Sequence, residues 1–220
     1  MFKPEDFFEL SSFEYADLFD GVEYVWEALD RLHDYLLAHT PAENEIRGDV
    51  HPGAYLIGQH ILIEEQAVVE PGAYIEGPCI IGKACHIRHG AYIRSDTLAA
   101  NHSLIGHATE TKNTILMPES KAAHFAYVGD SILGRRVNLG AGTKLANFQL
   151  GGRTISVRAN GQRYSTGRKK LGAILGDDCQ LGCNSVCNPG TFLGPGSLVY
   201  ALVSVNGYHP ARTKFKQTGG

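Results

Sequence analysis

Arg88, Lys112 and His124 are the side chains whose type and spacing most invite chemistry. Arginine and lysine supply the cations that a phosphate group needs, one as a planar fork and the other as a point charge. A histidine, with a reference pKa of about 6.5, can take a proton at neutral pH. Together they could hold a phosphorylated substrate and take a proton from it. The chain has ten histidines, so any one of them alone reads as a solvated surface residue. Cys179, Cys183 and Cys187 run C-x3-C-x3-C, which is not a usual zinc spacing, and no metal is expected. Five cysteines, an odd number, fit reduced thiols and a cytoplasmic location better than a disulfide framework.

The elements that must position these residues follow from a period of six. Stepping from Ile57 gives Ile63, Val69, Ile75, Ile81, Ile87, Ile93, Ala99, Ile105, Thr111, Met117 and Ala123, nearly all apolar. The phase slips at the five-residue step from Val128 to Leu133, resumes through Leu139 and Leu145, and returns from Leu175 to Val205. A helix drifts off its own face at this period. A triangular coil does not: each hexad is a short strand and a corner, and three hexads make one circuit. The recurring aliphatic residue points inward, and glycine takes many of the tight corners. About seven stacked coils are expected, at a strand spacing of about 4.8 Å. Arg88 and His124 each follow an inward residue and stand two eighteen-residue circuits apart, which places them on one edge of the prism. Lys112 lies one circuit and one face beyond Arg88. Earlier coils carry Glu64, Glu70, Glu76 and Gly82 in this slot, so the cations concentrate in the middle coils.

Three regions break the repeat. Residues 1–45 form an N-terminal segment that reads as helix, with Leu18, Val22, Val25, Trp26, Leu29, Leu32, Leu36 and Leu37 on one broad face. It reads as a cap over the first coil, with a docking helix for a partner as the alternative. Residues 46–206 form the prism, interrupted at about 148–170 by a basic hairpin with the turn signal ANGQ. That hairpin is either simply solvated or a lip over a phosphate-bearing ligand. Residues 207–220 read as a basic tail that leaves the prism, carrying Arg212, Lys214 and Lys216. A net charge of −3 gives no bulk reason for nucleic-acid or acidic-lipid binding. No signal peptide or membrane-length apolar run is read in the sequence.

The stretch SKAAHFAYVGDSILGRRVNLGAGTKLANF resembles the acetyltransferase half of bacterial enzymes that join glucosamine-1-phosphate N-acetylation to uridylyl transfer. GRTISVRANGQRYSTGRKKLGAILGDD is more similar to the C-terminal domain of archaeal-type sugar-1-phosphate nucleotidylyltransferases with acetyltransferase activity. The likeness covers about residues 55–205. It implies an all-β, left-handed parallel β-helix, the handedness coming from the resemblance and not from the period. It also implies transfer of acetyl from acetyl-CoA to the amine of a hexosamine-1-phosphate, and a homotrimer with sites between subunits. Residue by residue, it makes His124 the catalytic base. Arg88, Lys112, Tyr127 and Asn138 become sugar-phosphate contacts. Asn147, Lys170 and Cys183 become acetyl-CoA contacts. Phe148 stands where the bacterial form has tyrosine, and Cys183 where it has serine.

Other readings compete. Asn138 could be a structural turn residue, and Tyr127 could pack between subunits. The prism of γ-class carbonic anhydrases binds metal through three histidines; His102 and His107 have a suitable spacing, but Gln66 and Lys112 occupy the slots of further ligands. The first 45 residues hold no glycine-rich nucleotide loop. The domain could therefore serve as a non-catalytic scaffold or as the partner of a separate nucleotidylyltransferase. Acyl transfer to another acceptor is a further alternative, since fold does not fix the acceptor.

Overall fold

A computed structural model describes residues 1–216. The chain is a left-handed parallel β-helix with three sheets of short strands, nine on the first face, nine on the second and eight on the third. Each circuit visits the faces in that order, and every prism strand pairs in parallel with the equivalent strand one coil away. The inward column is almost wholly aliphatic, from Ile63, Val69 and Ile75 to Leu193, Val199 and Val205, all buried. Thr97, Thr111 and Thr114 join it in the middle coils, and their hydroxyls bond one another or corner carbonyls.

The register differs from a strict six-residue count at two places. Leu56 faces inward and Ile57 is exposed. Further along, Leu116 and Ala122 take the inward slots, while Met117 is buried outside the prism. Two successive corners between the third and first faces are one residue short. They turn through Asn113 and Asp130, both with φ of 46°. Leu98, Ile115 and Ile132 are therefore spaced by seventeen residues. From Ile63 onward the other two edges keep a constant step of six between inward residues; only this edge varies. It also carries the whole hairpin insertion between Leu145 and Leu175, and at the end it tightens to four residues between Val205 and His209.

More coils form than the seven expected, because both ends extend the stack. The C-terminal segment does not leave the prism: Tyr208–His209 pairs with the first face and Lys214–Phe215 with the second. The remaining tail residues, 217–220, lie outside the described residues.

The N-terminal segment is less helical than its pattern suggests. Three short 3₁₀ turns (Pro4–Asp6, Ala16–Phe19, Val25–Glu27) precede a single helix, Ala28–His39. It is also laid along a face and not over an end. The first-face strands are apolar on both sides, so Leu62, Ile80, Leu98, Ile115, Ile132, Ile174 and Phe192 present a greasy outer surface. Phe2, Phe7, Leu18, Trp26, Leu29, Leu32 and Leu36 bury it. At about 1.5–3 kcal/mol for each large apolar side chain removed from water, this second core rivals the inner one. Asp177 fastens it: its backbone N–H donates to the Phe7 carbonyl at 3.0 Å, and its carboxylate accepts the Glu9 N–H at 2.9 Å.

The insertion forms the expected hairpin, Ser156–Ala159 against Gln162–Ser165. Its turn residues Asn160 and Gly161 have φ of 50° and 77°, the two positive values that suit a tight two-residue hairpin.

Candidate active site

The sequence-derived site residues fall into two groups on opposite edges of the third face. Arg88, His124 and Cys183 lie on the edge between the second and third faces, and Lys112 and Asn147 on the edge between the third and first. Tyr127 stands on the outer side of the third face. Asn138 stands on the outer side of the second face, between Lys121 and Gln180. Lys170 is exposed at the hairpin root, where it bridges Phe148.

On the His124 edge, one short circuit shifts the register. Ile87 pairs with Ile105, and Ile105 with Ala122. Arg88 is thus level with Gly106 and Ala123, and His124 is level with His107. Arg88 and His124 share an edge, as expected, but not a column. His124 instead continues a column of histidines. The rings of His89 and His107 stack with centroids 5.4 Å apart and planes within 7°, and Phe125 lies edge-on to His107 at 5.3 Å. Nδ1 of His89 bonds the Pro71 carbonyl at 2.7 Å, and Nδ1 of His107 bonds the His89 carbonyl at 2.8 Å. A carbonyl only accepts, so Nδ1 is the donor in both rings. His124 is exposed at the end of this column, with Ala141 and then Cys183 in the slots beyond it. His102, in contrast, is far round the prism from His107: it turns the corner between the first and second faces, with φ of 61°. Among the described residues no group of three or more His, Cys, Asp or Glu is arranged to hold a metal ion.

The other edge is organised by Asp130, which is 2% exposed. Its carboxylate accepts from Asn113 Nδ2 at 3.0 Å and Asn147 Nδ2 at 2.5 Å. Lys112 Nζ stands at 3.5 Å and Arg168 Nη2 at 3.6 Å. Arg168 also pairs with Asp30 of the N-terminal helix, so it is a structural pin between helix, hairpin and prism. The Tyr127 hydroxyl and the Asn147 amide converge above Gly129, where an added Cβ would meet them at 2.6 and 2.7 Å. Burial, and then the negative charges of Glu110 and Asp130, push the Tyr127 phenol up and keep it a neutral donor. Arg94 lies beside it on the same face, paired with Glu110 at 3.0 Å.

Sequence reasoning missed Asp130 and the histidine column. The seventeen-residue step from His107 to His124 was the available signal, and a strict count of eighteen hides it. Cys183 is the single exposed cysteine; Cys79, Cys85, Cys179 and Cys187 are buried. Burial pushes the Cys79, Cys85 and Cys179 thiols up to about 12.

Residues 75–184 match the family model described as the GMPPB C-terminal domain. The bifunctional sugar-1-phosphate nucleotidylyltransferase/acetyltransferase of Sulfurisphaera tokodaii is 38% identical over 159 residues, which cover 72% of this chain and 39% of that protein. Bifunctional protein GlmU of Methanocaldococcus jannaschii is 34% identical over 169 residues, 77% of this chain and 40% of that protein. Its counterpart in Methanococcus maripaludis is 31% identical over 193 residues, 88% of this chain and 46% of that protein. The chain thus spans less than half the length of the curated relatives it matches. A prism with this register, this hairpin and these similarities belongs to the GMPPB C-terminal domain family.

Proposed function

We propose that the chain transfers acetyl from acetyl-CoA to the amine of a hexosamine-1-phosphate. The observation that carries the reading is His124, exposed at the end of a column of histidines whose Nδ1 atoms donate to backbone carbonyls, in a chain similar to a protein named as a sugar-1-phosphate nucleotidylyltransferase/acetyltransferase. The attacking amine must shed a proton as its C–N bond forms and the thioester C–S bond breaks. His124 takes that proton, and CoA leaves as the thiolate. Arg88 and Lys112 bind the phosphate. Tyr127 and Asn138 position the sugar, and Asn147, Lys170 and Cys183 contact the donor.

These residues occupy two edges of one protomer, so the complete site needs a second copy to bring its Asp130 edge to the His124 edge. A homotrimer meets that need around a closed ring. Sedimentation equilibrium is expected to give a trimer, and a monomer would overturn the shared site. CoA release with glucosamine-1-phosphate and galactosamine-1-phosphate tests the activity itself. Release with either sugar, falling by more than about tenfold in His124→Ala, supports the reading and identifies the acceptor. No release with either, from a folded trimer, overturns it in favour of a scaffold or another acceptor.

A further inference from the structure

The hairpin has two unlike sides. Val157, Ala159 and Tyr164 face the N-terminal aromatic layer, with the Tyr164 ring 5.1 Å from Phe2 and 6.2 Å from Tyr24. Strand alternation sends Ser156, Arg158 and Arg163 to the opposite side. There Arg158 and Arg163 are direct cross-strand neighbours, an arrangement in which like charges destabilise a hairpin. The acid-paired cation of the insertion is Arg168. Among the described residues, Arg153, Arg158 and Arg163 have no carboxylate partner, and all three are exposed. They line one cavity of about 860 Å³ between the hairpin and the prism edge. Phe148, Asn188 and Asn206 also line it.

The hairpin that carries this charge is pinned at its root. Thr166 Oγ1 donates to the Ile155 carbonyl at 2.8 Å, and the Ile155 N–H donates to the Arg168 carbonyl at 2.9 Å. Ile155 packs so closely on Gly190 that a Cβ there would stand 2.6 Å from it. Unneutralised guanidinium groups carried on a pinned hairpin call for an anion with several acceptor oxygens. The volume lies toward the top of the range of about 300–1,000 Å³ for small-molecule sites, far more than one inorganic ion fills. Phe148, 51% exposed, offers a ring face on which a base can stack.

We propose that this groove is a nucleotide-phosphate subsite that takes the adenosine 3′,5′-bisphosphate end of the acyl donor. The proposal rests on the acyl-transfer reading for its choice of nucleotide, and it adds Arg153, Arg158 and Arg163 as donor contacts.

Calorimetric titration of the full chain with adenosine 3′,5′-bisphosphate tests it without turnover. Wild type is expected to bind, and Arg158→Ala/Arg163→Ala to bind at least about tenfold more weakly, as loss of charge-assisted hydrogen bonds requires. Both side chains are exposed, so the double variant keeps its fold, which circular dichroism checks. Arg158→Lys/Arg163→Lys, which keeps the charge, is expected to recover part of the affinity. No binding by wild type, equal affinity in the alanine variant, or tighter binding of UDP than of the adenosine bisphosphate would each overturn the proposal. The two readings separate cleanly. Binding by a chain that releases no CoA with either sugar keeps the groove and overturns acetyl transfer to a hexosamine-1-phosphate. Turnover with an unchanged KM for acetyl-CoA in the alanine variant keeps acyl transfer and overturns the groove.

Discussion

The first and third faces of the prism are built from the same repeat, yet they meet the outside in opposite ways. On the first face the strand triplets are apolar inside and out, and thirty-odd N-terminal residues are folded over them. On the third face the outward positions are Tyr55, Tyr74, Tyr92, Glu110, Tyr127, Lys144, Val186 and Ser204, and the first three rings form an exposed ladder with centroids 6.0 and 5.5 Å apart. One face is closed by its own chain. The other is left open between the two edges that carry the candidate chemistry. The inner column specifies the coil, and the outward residue of each strand specifies what that face is for.

Trp26→Ala strikes the closed face hardest. Trp26 is 2% exposed and packs on Phe192 and Phe2, so denaturant melts are expected to lose about 3–5 kcal/mol. Asp130→Ala comes next. It leaves Lys112 and the nearly buried Arg168 without their shared acid and is expected to cost about 3 kcal/mol; Asp130→Asn, which keeps an acceptor, should lose less in the same melts. Tyr74→Ala, on the open face, is expected to stay within about 0.5 kcal/mol of wild type. A loss as large as that of Trp26→Ala would erase the contrast between the faces.

The smallest effect is on the second face. The Glu70 carboxylate is held below its usual range, first by the His89 backbone N–H and then by the His86 ring at 2.7 Å. A lowered folded-state pKa means that its stabilisation is complete above the usual carboxylate range and is lost as pH falls through the depressed value. Carboxyl-carbon NMR is expected to place the midpoint below that range, and His86→Ala to move it partway back. A midpoint at the usual value would show that neither contact persists in solution.

Much of this architecture is legible in the sequence. The six-residue period finds the prism and its inward column, and the ANGQ turn finds the hairpin. The strap is harder to read, because helical spacing in residues 18–37 says that a face is apolar and not what it covers. The complementary signal was present in apolar triplets such as Ile61–Ile63 and Cys79–Ile81, which recur on one face only. The candidate site is legible as residue types but not as geometry. The one-residue contraction at Asn113 moves His124 into the His107 column, and counting by six from Ile57 passes over it. Asp130 is hidden for a related reason: an aspartate at a corner looks solvated until the short circuit and the hairpin root close around it.

The contractions at Asn113 and Asp130 also separate two kinds of freedom. Two edges keep their length coil after coil, while the edge between the third and first faces shortens by one residue, shortens again, and then admits an entire hairpin without disturbing the column inside. Chain length there is decoupled from the core, so novelty can be spliced in at one margin of the solid while its interior remains a constant. A peptide tag inserted at that margin, between Ser95 and Asp96, should leave a foldable stack; the same tag between Ala84 and Cys85 should not.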